Sequence, residues 1–144
     1  MVSVSRTFTV DKPVDQVVAY LADFANAEEW DPGTESCVQT STGPVQVGTT
    51  WHNVSKISGI TTELDYTLES LSVGKIVLVG RNDTATSTDT ITVTAVGSQS
   101  EVTYDAHLEL KGVAKLGAPA VKVIFEHLGN ETEKSIQDAV ARLT

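Results

Sequence analysis

The final stretch of the chain, Ala118 to Leu143 (APAVKVIFEHLGNETEKSIQDAVARL), sets the strongest limit on what this sequence can fold into. Val121, Ile124, Phe125, Leu128, Ile136, Ala139, Val140 and Leu143 recur at three- and four-residue steps, which puts them on one face of a helix. Lys122, Glu126, Glu131, Glu133, Lys134, Gln137, Asp138 and Arg142 fall between them and form a wettable opposite face. Pro119 suits the first turn, where a missing N–H costs nothing. At about 1.5 Å per residue the helix is roughly 38 Å long, the width of a small domain. A lone helix with one apolar face must be covered, and the remaining residues have to supply the cover.

Those residues read mostly as β-structure. Val2 to Val10 alternates, with Val4, Arg6, Phe8 and Val10 on one face, as in a strand with one buried side. Asp11-Lys12-Pro13 can cap and start a helix, and Val14, Val17, Val18 and Leu21 give a short amphipathic one. Ala27 to Trp30 allows another turn before Asp31-Pro32-Gly33 stops it. Strands are expected at 37–40, 49–58, 61–71, 75–81, 89–96 and 102–110, separated by glycine-bearing turns. Val102, Tyr104, Ala106, Leu108 and Leu110 make the cleanest alternation. Regular spacing with short turns implies an antiparallel meander. A sheet apolar on one side must bury that side, and the terminal helix is the one element long enough to do it. A single domain over residues 1–144 is expected, since no repeat or low-complexity tract divides the chain.

Charge and motifs narrow the function classes. A net charge of −9 argues against a nucleic-acid backbone as partner and against an anionic membrane surface. Cys37 is the single cysteine, so no internal disulfide can form, and it reads as a small buried hydrophobe. With no basic-then-apolar leader and no apolar run near the ~18 residues of a membrane span, a cytoplasmic protein without membrane insertion is expected. No phosphate loop, HExxH or paired-cysteine motif is present, and His52, His107 and His127 are in no ligand spacing. No metal and no cofactor is expected, and the expected oligomeric state is a monomer or weak homodimer.

Three local patterns carry a resemblance. Tyr20-Leu21-Ala22-Asp23-Phe24 runs through Asn26 to Trp30-Asp31-Pro32-Gly33; Gly48-Thr49-Thr50-Trp51 opens a central strand; Glu63-Leu64-Asp65-Tyr66 lies on the next. With them, the whole chain resembles the START/polyketide cyclase-like (SRPBCC) superfamily, the helix-grip fold shared with birch-pollen-allergen-like proteins. The resemblance implies an α+β fold: a curved antiparallel sheet of about six or seven strands wrapped around a long C-terminal helix, with two short helices after the first strand. It also implies a cavity between sheet and helix for small apolar or amphipathic molecules such as lipids, sterols or polyketides. Superfamily membership alone does not settle chemistry.

A pocket needs an apolar wall and a few convergent polar groups. Strand parity nominates Trp51, Asn53, Tyr66, Arg81, Asp89 and Tyr104 as inward-facing. Trp30 stands at the helix–linker junction or cavity mouth, and Phe125 and Leu128 lie on the helix. Each has a plainer reading: the tyrosines and tryptophans as core, Arg6 and Arg81 as strand-end residues. If Asp89 and Arg81 both face inward they should pair, because an unpaired buried charge is costly. Gly129 marks either a close approach to a strand or room for a ligand. The glycine-punctuated loop 111–117 could act with the Trp30 linker as a gate. Binding of a small hydrophobic molecule is the favoured reading. The alternative is an aromatase/cyclase-type enzyme, which needs a general acid or base from His52, His127, Tyr66, Tyr104 or Asp89; no catalytic residue is assigned. A third possibility is a cavity packed shut.

Overall fold

The computed structural model describes residues 2–144. Strand β1 (Val2–Val10) leads into helix α1 (Val14–Ala22), a 3-10 turn at Phe24–Asn26 and the single-turn helix α2 (Ala27–Trp30). Six strands follow: β2 (Thr34–Gln39), β3 (Thr50–Ile57), β4 (Ile60–Ser72), β5 (Lys75–Arg81), β6 (Ala85–Val96) and β7 (Gln99–Leu110). A second 3-10 turn, Gly112–Gly117, feeds directly into helix α3 (Ala118–Ala141). The strands form one antiparallel sheet in the order β1-β7-β6-β5-β4-β3-β2. The β1–β2 connection therefore spans the whole sheet, and it carries α1 and α2 across the face on which α3 also lies. This is the helix-grip architecture that the parts list and the resemblance imply.

Register sorts the side chains into rows on the helix-bearing face. Trp51, Tyr66, Gly80, Ser87 and Leu108 are cross-strand partners in one row. Leu68, Leu78, Asp89, Ala106 and Val4 make the next, and Ile76, Ile91, Tyr104 and Arg6 the one after. Ile76, Ile91 and Tyr104 of the third row join Val17, Leu21 and Ile136 in the buried core. Threonines populate the opposite, wetter face, as period-two alternation requires.

Three local readings need correction. Arg81 lies on the outer face, paired in register with Asp65 and Thr86, and its guanidinium is 3.4 Å from Glu69. Strand β5 is apolar on both sides (Ile76, Leu78 and Val79 are all buried), so alternation could not reveal which parity faces inward. The Asp89–Arg81 pair is therefore ruled out. Strand β6 begins at Ala85, four residues earlier than Asp89, because its first inward positions hold the small residues Ala85 and Ser87 and show no hydrophobic contrast. Asp11 does not cap α1, whose N-cap position is Pro13 with no side-chain hydrogen bond.

Helix α3 seats its C-terminal half on the core through Gly129, Thr132, Ile136, Ala139 and Val140. At Gly129 it touches β1: a Cβ there would meet Val4 Cγ2 at 2.7 Å and the Arg6 guanidinium carbon at 3.2 Å. Of the two readings of Gly129, the close approach is the observed one. Arg6 is bound over the same spot, donating to Asn130 Oδ1 at 3.0 Å and to the Glu126 backbone and carboxylate at 3.1 and 3.2 Å. Gly129→Leu is expected to lower stability by about 3 kcal/mol, the upper end of the overpacking range. Gly129→Ala should cost less, because better helix propensity returns about 1 kcal/mol. Urea midpoints of the two variants check the order.

Candidate functional site

The middle of the concave face is polar, which is unusual for the buried side of a sheet. Tyr66, Ser87, Asp89 and Tyr104 lie there on three strands, each 5–8% exposed. Glycine makes the geometry possible. A Cβ on Gly80 would stand 2.6–2.8 Å from three atoms of the Tyr66 ring, so the ring lies flat over the glycine backbone. Tyr66 stands beside Ser87 in this cluster, and Tyr104 beside Asp89. Gly80→Ala should cost about 1–3 kcal/mol by forcing the ring off its seat. Loss of the Tyr66 near-ultraviolet signal, with strand content unchanged, would mark that displacement.

An aromatic wall surrounds these groups. The Phe24 ring centroid is 4.5 Å from Tyr66, 6.0 Å from Trp30 and 6.2 Å from Trp51; Trp30 meets Tyr104 edge-on at 5.9 Å. Both tryptophans are fully buried, yet their Nε1–H groups have no hydrogen-bond partner among the described residues. A buried donor without an acceptor costs about 1–3 kcal/mol, and native interiors contain few.

The electrostatics of the interior are acidic. Burial first, and then the charge of Asp31, push the Asp89 carboxyl up to about 7, although the neighbouring Tyr104 hydroxyl acts the other way. Asp31 is itself raised by burial, against donation from the Gly33 N–H at 3.0 Å and the Thr34 hydroxyl at 2.9 Å. Burial and the Asp89 charge hold Tyr66 and Tyr104 well above the usual phenol range. Asp31 was not among the expected site residues. It sits in a loop, where no periodicity flags an inward side chain.

Of the residues expected at a site, Trp30, Trp51, Tyr66, Asp89 and Tyr104 come together here, and Arg81 does not. Asn53 is buried beside them, but its bonds are spent within the fold. It donates to Thr34 Oγ1 at 3.1 Å and accepts from Ser55 Oγ at 2.7 Å. Cys37 is buried, its thiol pushed up to about 12, chiefly by burial. His52 lies on the outer face between Asp65 and Glu63, at 2.8 and 2.7 Å, and these carboxylates raise its pKa. His127 is exposed and pairs with Glu131 at 3.0 Å; His107 is exposed on the outer face.

The N-terminal half of α3 is uncovered. Val121, Ile124, Phe125 and Leu128 are only half-buried, while Val113, Leu116 and Val123 are 86%, 85% and 72% exposed. Between this half-helix and the β3–β4 turn lies a cleft of about 400 Å³, lined by Pro32, Gly33, Ile57, Val123, Ile124, His127 and Leu128. A larger groove of about 840 Å³ lies elsewhere, between α1 (Val14, Val18, Ala22) and the hairpin tips at Leu71–Gly74 and Ala95–Gln99. The larger groove touches none of the interior polar residues.

The family model described as "Polyketide cyclase / dehydrase and lipid transport" matches residues 1–143, and the chain belongs to that family. Among solved structures it resembles a START superfamily protein from Mycobacterium smegmatis (TM-score 0.82, 16% identity, 99% of each chain). It also resembles the Zhui aromatase/cyclase from Streptomyces sp. R1128 (TM-score 0.81, 13% identity, 97% of this chain and 93% of that one). A STAR-related lipid transfer protein from Xanthomonas axonopodis is similar as well (TM-score 0.76, 12% identity, 97% and 86%). At such identities the likeness concerns the fold. No curated protein matches in sequence. No helix among the described residues is long and apolar enough to cross a membrane.

Proposed function

We propose that this protein is a cytoplasmic binding module, monomeric or weakly dimeric, for a small hydrophobic or amphipathic molecule held between the sheet and α3. The observation carrying this reading is the half-covered apolar face of α3 (Val121, Ile124, Phe125, Leu128) in the same molecule as a buried polar cluster. An apolar surface with a few fixed polar groups is the general composition of a ligand pocket. The test is native mass spectrometry of the purified protein with a panel of lipids, sterols and aromatic polyketides. The expected result is a one-to-one complex with unmodified ligand; no bound species across the panel counts against the reading.

A second reading as an aromatase/cyclase is favoured by one observation, the burial of Asp89 and Tyr104 on neighbouring strands, where burial raises the Asp89 carboxyl to about 7. A group with a pKa near the working pH is suited to general acid–base catalysis. Conversion of a linear poly-β-ketone that is lost in both Asp89→Asn and Tyr104→Phe would favour the enzyme. Release of the ketide unchanged would favour the carrier.

A further inference from the structure

We propose that the end of the molecule formed by residues 111–123 and the β3–β4 turn docks onto an anionic lipid surface. Such docking is separate from the binding of a small molecule between sheet and α3, and neither requires the other. Its first support is apolar exposure. The opening residues of α3, Ala118 to Phe125, include one polar side chain, Lys122. A helix apolar on nearly every side belongs in a core or in lipid. This one stands largely in solvent, with Pro119, Ala120, Lys122 and Val123 exposed. Val113 and Leu116 of the preceding 3-10 turn are 86% and 85% exposed, Val123 is 72%, and Ile60 at the β3–β4 turn is 67%. Ile57 and Ser58 of that turn share the cleft with Val123 and Ile124, so the projecting aliphatic side chains gather at one end of the molecule.

The second support is charge, because the net −9 of the chain is not shared by this end. Between Glu109 and Glu126 the sequence carries Lys111, Lys115 and Lys122 and no acid, and Lys56 stands on the β3–β4 side of the cleft. All four lysines are exposed, and no lysine enters an ion pair among the described residues. The acids of this half-helix are occupied, Glu126 by Arg6 and Glu131 by His127. Two acids border the patch. Asp83 adjoins Thr84, whose carbonyl accepts from the Lys111 N–H at 2.8 Å, and Glu109 is exposed on β7. Lysines interleaved with projecting aliphatic groups suit a lipid interface, where the cations meet anionic headgroups and the aliphatic side chains lie among them. A second copy fits less well, since a two-fold contact through this patch sets lysine against lysine. A protein partner would have to offer a pocket to each projecting side chain, which a fluid headgroup layer does not need.

Co-sedimentation with vesicles tests this, using phosphatidylcholine alone and phosphatidylcholine mixed with phosphatidylglycerol. The protein should bind the anionic vesicles at least about tenfold tighter than the neutral ones, and the difference should shrink as salt rises from about 0.1 M to about 0.5 M. The combined variant Lys111→Gln, Lys115→Gln and Lys122→Gln should lose that preference. Val113→Asn with Leu116→Asn should weaken binding to both kinds of vesicle. Lys75→Gln with Lys134→Gln, away from the patch, should bind as the parent does. All these positions are exposed, so urea midpoints should stay at the parent's value. Equal binding to the two vesicle types, no binding to either, or an unchanged preference in the triple lysine variant overturns the docking assignment. A concentration-dependent dimer that Leu116→Asn abolishes, without vesicle binding, overturns it too and gives the patch to a second copy. The binding module stands or falls separately, on native mass spectrometry of its ligand panel.

Discussion

Replacing Asp89 by asparagine is expected to stabilise the protein at and above neutral pH and to leave its stability near pH 4 almost unchanged. In the folded chain this carboxyl is raised from 3.8 to about 7, with burial the largest cause and Asp31 the second. A group whose folded pKa is raised contributes stability that is full below its unfolded pKa. That contribution is lost as pH rises through the folded value, because the native state then binds the extra proton. At 1.36 kcal/mol per pKa unit, the loss between about pH 4 and pH 7 is of the order of 4 kcal/mol. Asparagine has nearly the same shape and removes the charge. Urea unfolding of both proteins at about pH 4 and pH 8 should show curves that converge in acid and separate above neutrality, with the variant the more stable. Parallel curves would mean that Asp89 is neither desolvated nor close to Asp31.

Trp51→Ala should cost about 3–5 kcal/mol, a large share of the 5–15 kcal/mol that holds a typical domain folded. Its indole is fully buried, meets Phe24 edge-on and stands in register with Tyr66. Removing it leaves a cavity at the centre of the aromatic wall, and the sheet cannot collapse into that space without breaking the β3–β4 ladder. Trp51→Phe retains most of the apolar contact and deletes the unpartnered N–H, so it should cost much less. A drop in urea midpoint for alanine several times that for phenylalanine confirms a packing role. Equal drops would point instead to the indole N–H as the stabilising group.

The parts of the fold that could be read from sequence are those in which one side of an element is apolar and the other wet. β7 has that contrast at Val102, Tyr104 and Ala106, and so does the C-terminal half of α3 at Ile136, Ala139 and Val140. Where contrast fails, the reading fails: Arg81 on the doubly apolar β5, and Ala85 to Thr88, whose inward residues are small. Thr132 shows the converse, a polar residue buried on the helix face. Within the candidate site, Tyr66, Tyr104 and Asp89 were legible because parity puts a polar group on an apolar face. Asp31 was not, since its position depends on the turn it makes with Gly33 and Thr34 between α2 and β2. Gly80 could not be read either, because only three-dimensional register shows that its missing side chain makes the seat for Tyr66.

Where a ligand sits is the most direct test of the account, because the α1 groove is larger than the cleft beside α3 and competes for any apolar molecule. The chain has two tryptophans, so an ¹⁵N-labelled sample gives two indole N–H resonances, from Trp30 and Trp51. Titration with the panel compound that forms the one-to-one complex is predicted to shift both indole signals in step with binding. The amides of Val14, Val18 and Val73 should stay still. Saturable binding that moves those groove amides and leaves both indoles unchanged would contradict the account.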